Sequence, residues 1–178
     1  MISTRRITEA PADRFPKGTF RLSVPLGDRN LMDLLDGKKV CMVFDDRDFD
    51  PWERTVRDLV DCGCLSGSIK LLNFSAFLKV LPTLETDMLL VFSINPQEFQ
   101  HSFANLERGM IEFRRNNPQS PVVMVGLYSS VSSAGKLLAI LREKTLVDHL
   151  EYGPISHTNL VRTGASLLYQ RASADAKV

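Results

Sequence analysis

Excess charge of either sign is missing from this chain. Lys and Arg total 22 against 21 Asp and Glu, a net charge of +1, so no overall basic field exists to hold nucleic-acid phosphates by counterion release. Direct nucleic-acid contact is therefore not expected. Long apolar runs are missing too: stretches such as Met88 to Phe92 fall far short of the roughly 20 residues that a membrane-spanning helix needs. The N-terminus, MISTRRITEAPADRF, has no apolar segment of the secretory-signal kind. Cysteine is scarce, with three in the chain, so they cannot all pair. Cys62-Gly63-Cys64 is C-x-C with no second pair after it, and His101, His149 and His157 are scattered, so paired-ligand spacing for zinc is absent. Cys41, inside Val40-Cys41-Met42-Val43, is expected to be a buried free thiol. There is no internal repeat and no low-complexity tract. These absences predict a soluble, cytoplasmic protein.

What is present is an ordinary globular mix. Hydrophobic residues make up 44% and charged residues 24% of 178, which excludes disorder throughout and leaves room for one domain with an added arm. Residues 1–37 read as an N-terminal arm. Its first 18 residues carry Pro11, Pro16 and Gly18 and no sustained period. Residues 19–24 (TFRLSV) alternate as a short strand ended by Pro25. Asn30 to Gly37 reads as a two-turn helix capped by Asn30 or Asp28 and stopped by Gly37.

From residue 38 to 172 strands and helices alternate. Lys39 to Phe44 is an apolar run bounded by Asp45-Asp46, the pattern of a strand buried on both faces. A helix is predicted from Pro51, with Trp52, Val56, Leu59 and Val60 inward, ending near Gly63. Strands follow at Ser68–Leu72, Met88–Ser93, Pro121–Gly126 and Leu146–Tyr152. Helices follow at Ser75–Leu81, around Phe99–Phe113, at Ser133–Lys144 and at Thr158–Arg171. Phe99, Phe103, Leu106, Met110 and Phe113 recur in steps of four and three, one stripe of a 3.6-residue period. Residues 173–178 read as a tail or linker. Five such units predict an α/β fold: a doubly wound, five-stranded parallel sheet with helices on both faces and a working edge at the carboxyl ends of the strands.

The acidic pair Asp45-Asp46, then DMLLVFSINP (Asp87 to Pro96), PVVMVGLYSS (Pro121 to Ser130) and LEYGPISHTNLVRTGASLL (Leu150 to Leu168) resemble the receiver domain of bacterial response regulators. The resemblance covers about residues 38–172. It implies the receiver (CheY-like, flavodoxin-like) fold with an N-terminal extension. The family's phosphoryl-accepting aspartate falls on Ser93, or on Phe92 if the register slips by one. Its switch hydroxyl falls on Gly126, with Ser129 and Ser130 nearby, and its lysine falls on Gly153, beside Pro154. Of the chemical set only Asp45 and Asp46 survive. One carboxylate fewer weakens any Mg²⁺ site, and a serine hydroxyl without an adjacent base is a poor nucleophile. The closing segment, LEYGPISHTNLVRTGASLLYQ, is similar to the regulatory domains of NtrC-type enhancer-binding flagellar and biofilm regulators.

The expectation is thus a non-enzymatic, degenerate receiver of a two-component-type transcription regulator. It would form a homodimer through roughly residues 133–171, act on other domains or subunits of that regulator, and need no cofactor. Asp45 and Asp46 are the candidate metal residues, for weak Mg²⁺ binding at most. The acidic stretch Asp45-Arg47-Asp48-Asp50 reads first as a solvated loop that also caps the Pro51 helix, ahead of cation binding. Ser129 to Ser133 lacks the glycines and lysine of a phosphate loop and reads as a plain loop with a Ser N-cap. Arg114-Arg115 complements a helix C-terminus. The alternatives are an active phospho-receiver using Ser93, or a sensor of a small ligand such as a cyclic dinucleotide at the strand-end crevice, although no arginine-rich motif lies there.

Overall fold

The computed structural model describes residues 5–7, 25–26, 29–30, 35, 37–47, 54, 57, 68–92, 94–126, 128–152 and 157–175. Five strands run parallel: β4 (Lys39–Phe44), β5 (Ser68–Asn73), β6 (Met88–Val91), β7 (Val122–Gly126) and β8 (His149–Tyr152). Two residue pairs, Pro25–Leu26 (β2) and Arg29–Asn30 (β3), form a separate antiparallel ladder. The main sheet has the order β1-β5-β4-β6-β7-β8, where β1 is Arg5–Ile7. The parallel part therefore runs second, first, third, fourth, fifth along the chain, the doubly wound flavodoxin-like order. Its topological switch point lies between β4 and β6.

Arg5–Ile7 departs from the expectation of an aperiodic arm. It pairs antiparallel with β5, Arg6 opposite Lys70, and supplies the backbone partners that β5 would otherwise lack at the sheet edge. Asn30 pairs with Pro25 in this ladder; residues 31–34, which it was expected to cap, lie outside the described residues. Leu35 is helical and buried, and Gly37 ends that turn at φ 69°, a left-handed conformation that a side chain disfavours. The strand expected at 19–24 lies outside the described residues. So does most of the Pro51 helix, of which Arg54 and Arg57 are helical.

The helices are α1 (Phe74–Val80), continued by a 3₁₀ turn (Leu81–Thr83), α2 (Pro96–Asn116), α3 (Ser133–Glu143) and α4 (His157–Asp175). The last runs beyond the expected end near Arg171; Ala172 and Ala174 are strong helix formers and carry it on. Strand residues alternate between two cores, as a period of two requires. Cys41, Val43, Leu89, Val91, Val122 and Met124 face the layer of α1, α2 and α3, where Phe74, Phe77, Phe99, Leu106, Met110, Phe113, Leu138 and Leu141 are buried. Val40, Met42, Phe44, Met88, Leu90, Phe92 and Val123 face the other layer, where Val161 and Ala165 of α4 pack. Cys41 is fully buried, and that burial pushes its thiol pKa up to about 12.

The amino ends of the strands are tied by polar groups. Asp148, just before β8, accepts from Arg114 at 2.6 Å and Arg171 at 2.5 Å, and from the Val122 N–H at 2.7 Å. The same guanidinium groups donate to the Leu146, Ser120 and Gln119 carbonyls. Arg114 thus works inside the protein, joining α2 to β7 and β8, while Arg171 ties down α4. Thr86 and Ser120 complete this end through hydrogen bonds to Lys39, Met88 and Thr86 carbonyls. The carboxyl ends are left to form the crevice.

Candidate functional site

The first residue beyond β4 is Asp45, only 4% exposed. Alternation turns its side chain toward the α1–α2–α3 layer. One carboxylate oxygen accepts the Arg47 N–H at 2.9 Å, closing a turn on its own loop; the other accepts the Asn95 N–H at 2.7 Å, across the switch point. Asp46 points elsewhere. Its oxygens accept from the Ser75 N–H at 3.0 Å and the Ser75 hydroxyl at 2.5 Å. It therefore caps α1, together with Asn73, whose side chain accepts the Ala76 N–H at 2.8 Å. Among the described residues the acidic pair thus holds the start of α1 and the loop before α2; the start of the Pro51 helix lies outside them. Asp48 and Asp50 lie outside the described residues.

The acidic pair is already engaged by the chain. All four oxygens of Asp45 and Asp46 accept a hydrogen bond from the chain, so a cation bound there would share oxygens that already orient the loops. Glu98, in the first turn of α2, is the third acid near this edge. Partial burial raises its carboxyl pKa, and the charges of Asp46 and Asp45 raise it further, with Arg47 opposing. Among the described residues no group of three or more His, Cys, Asp or Glu is placed to hold a metal ion.

At the end of β6, Phe92 is 6% exposed and stacks on Phe44 with ring centroids 4.4 Å apart. Its N–H donates to the Val43 carbonyl at 2.9 Å, so it continues the ladder with its ring in the α4-side core. That excludes Phe92 as an accessible acceptor position and leaves Ser93, which lies outside the described residues, as does Gly153. The loop then reaches Ile94 and Asn95. Asn95 caps α2, its side chain accepting from the Gln97 and Glu98 N–H groups at 3.0 and 3.4 Å, with Pro96 at the first helical position.

At the end of β7, Gly126 stands where a switch hydroxyl would fall, and no side chain fits there. A Cβ would lie 2.5 Å from Leu138 Cδ1 and 2.9 Å from the Tyr128 ring. Tyr128 is 9% exposed, packs against Phe99 at 6.1 Å between centroids, and donates its hydroxyl to the Ile94 carbonyl at 2.7 Å. Burial foremost, and the nearby Asp45 charge, raise its phenol pKa well above the ordinary value. Beyond it Ser132 caps α3, accepting the Gly135 N–H at 3.1 Å, the plain-loop role read from sequence. Gly135 is required there because a Cβ would meet the Ser129 carbonyl oxygen at 2.2 Å.

Tyr128, Asn95 and Ser75 are the residues that sequence reasoning passed over. Asn95-Pro96 carries an N-cap signature that could have been read. Tyr128 has none, because its partner is 34 residues away.

Comparison with known proteins bears on the fold alone. No family model and no curated protein matches the chain. Among solved structures it is similar to an adenylate cyclase from Rhodopirellula baltica, with a TM-score of 0.52 and 11% identity over 79% of this chain and 94% of that one. A pilus assembly protein CpaE from Caulobacter crescentus CB15 gives a TM-score of 0.46 and 13% identity over 75% of this chain and 95% of that one. The strand order and the first of these likenesses agree on an α/β receiver-like fold. No helix among the described residues is long and apolar enough to cross a membrane.

Proposed function

We propose that this chain is a degenerate receiver that regulates through protein contacts and does not take a phosphoryl group on a carboxylate. The reading rests above all on the end of β6. Of the two positions on which the family's acceptor can fall, Phe92 is committed to the Phe44 stack and Ser93 is an alcohol by sequence. The lost carboxylate removes one negative charge from any cation site, and Asp45 and Asp46 are engaged by chain donors. Such a module performs no chemistry and needs no cofactor.

In this reading the chain is the regulatory part of an NtrC-type transcription regulator in the cytoplasm. It meets sister subunits or further domains and leaves DNA to them. Homodimerisation would use α3, β8 and α4, where Val131, Tyr152 and Tyr169 expose apolar surface on or beside those elements. Incubation with a small phosphodonor and Mg²⁺, followed by intact-mass measurement, tests the reading. The expected spectrum shows the unmodified chain alone; a stoichiometric phosphoryl adduct overturns it. Sedimentation is expected to give a dimer, and a monomer at high concentration would remove the dimer from the proposal.

A further inference from the structure

The Ile94 carbonyl and the Asn95 N–H belong to one peptide group, the last before α2. Each of its two polar atoms is held from a different side of the switch point: the oxygen by the Tyr128 hydroxyl at 2.7 Å, the N–H by Asp45 at 2.7 Å. Tyr128 comes from the loop after β7 and Asp45 from the loop after β4, so a single peptide unit joins three strand ends. Ile94 is 2% exposed, and a buried peptide group held on both atoms has no route to rotate without leaving two polar groups unpaired. The Tyr128 ring is itself held in place. Gly126 lends it room that any side chain would take, and Phe99 of α2 packs against it.

We infer that the Tyr128–peptide–Asp45 clamp is a permanent latch that fixes the entry to α2 and the loop after β7 in one arrangement, standing in for a phosphoryl-dependent switch. This rests on the proposed degenerate-receiver reading. The latch makes the two loops a single mechanical unit. Tyr128 leads within four residues to Ser132, the cap of α3, and Gly135 seats α3 against the Ser129 carbonyl. Release at the Ile94–Asn95 peptide would therefore loosen the amino end of α3 as well as that of α2.

Amide hydrogen exchange on the full chain tests it. Tyr128→Phe removes the hydroxyl and keeps the ring. Exchange of the amides of Asn95, Gln97 and Glu98 and of 129–132 is expected to rise about five- to tenfold, the factor that corresponds to losing one hydrogen bond of about 1 kcal/mol. Amides of Met42 and Leu90 in the central strands stay at their wild-type rates, which shows that the fold is intact. Unchanged exchange at Asn95, Gln97 and Glu98 overturns the latch. In the Asp45→Asn, Tyr128→Phe double variant the rise is expected to be smaller than the product of the single rises, because both bonds hold one peptide; a simple product also overturns it. Wild-type protein with Mg²⁺ and beryllofluoride serves as a separate arm. New protection of both loops there would refute the degenerate-receiver reading, whereas the variant arms judge the latch itself.

Discussion

Gly126 is where the receiver resemblance would put a hydroxyl, and the structure says what adding even one carbon there would do. Gly126→Ala sets two effects against each other. Replacing glycine in a strand stiffens the unfolded chain and favours folding by about 0.5–1 kcal/mol. The new Cβ would sit 2.5 Å from Leu138 Cδ1 and 2.9 Å from two Tyr128 ring carbons, and overpacking of this kind costs about 1–3 kcal/mol. Leu138 is 1% exposed and Tyr128 is tied to Ile94, so neither can step aside freely. Overpacking wins, and the variant is expected to lose about 1–2 kcal/mol, or about 2–8 °C in midpoint temperature for a chain of this size. Urea unfolding followed by circular dichroism measures it. Leu138→Ala alone should cost about 2–5 kcal/mol by opening a cavity. Combined with Gly126→Ala it should cost less than the sum, because the new methyl enters the vacated space. A Gly126→Ala protein as stable as wild type, or strictly additive costs, would refute the claim that this glycine is kept for space. Backbone conformation does not require it, since Gly126 is not among the positive-φ residues.

Other expectations follow from groups that the structure places with equal definiteness. Asp148→Ala removes three charge-assisted bonds from a site whose side chains are 14–26% exposed, and after discounting for solvent is expected to cost about 3 kcal/mol in denaturant unfolding. Asn95→Ala strips the cap from α2 and should cost about 1 kcal/mol; amide exchange should locate the fraying in the first turn. Cys41 should resist thiol reagents in the native state at neutral pH, measured in a Cys62→Ser, Cys64→Ser background, and react on unfolding. Because its folded pKa is raised to about 12 from 9.0, the unfolded chain releases this proton first as pH rises. The contribution is full below pH 9.0 and is lost through the alkaline range at up to about 1.4 kcal/mol per pH unit. The Cys41→Ala variant should lack that slope.

Much of the fold was legible because burial imposes periods on a sequence. The apolar runs of β4, β6 and β7 are continuous because these strands are covered on both faces. The α2 stripe held to one side, with Phe99, Leu106, Met110 and Phe113 fully buried and Phe103 partly so. Gly37 was readable as a stop because only its conformation, not its neighbours, matters. Arg5–Ile7 escaped for the opposite reason. A three-residue edge strand makes no hydrophobic pattern, since its pairing is a backbone affair. The short ladder of Pro25–Leu26 with Arg29–Asn30 escaped for the same reason.

The site was less legible, and the reason is physical rather than a matter of weak motifs. Residue types alone placed an alcohol at Ser93 and a bare backbone at Gly126, where the receiver resemblance would put a carboxylate and a hydroxyl. What surrounds such a position depends on contacts between distant segments. Asp45 reaches a donor 50 residues on, and Tyr128 an acceptor 34 residues back; neither spacing corresponds to a helix or strand period. Asp45 shows the consequence. From sequence it is an acid in an acidic pair, a loop cap ahead of a cation ligand. In the fold its two oxygens meet two backbone N–H groups, and a carboxylate so satisfied gains from charge-assisted bonds what it would otherwise need a cation to supply. An acid at this strand end therefore has structural work of its own, holding the loop after β4 to the start of α2.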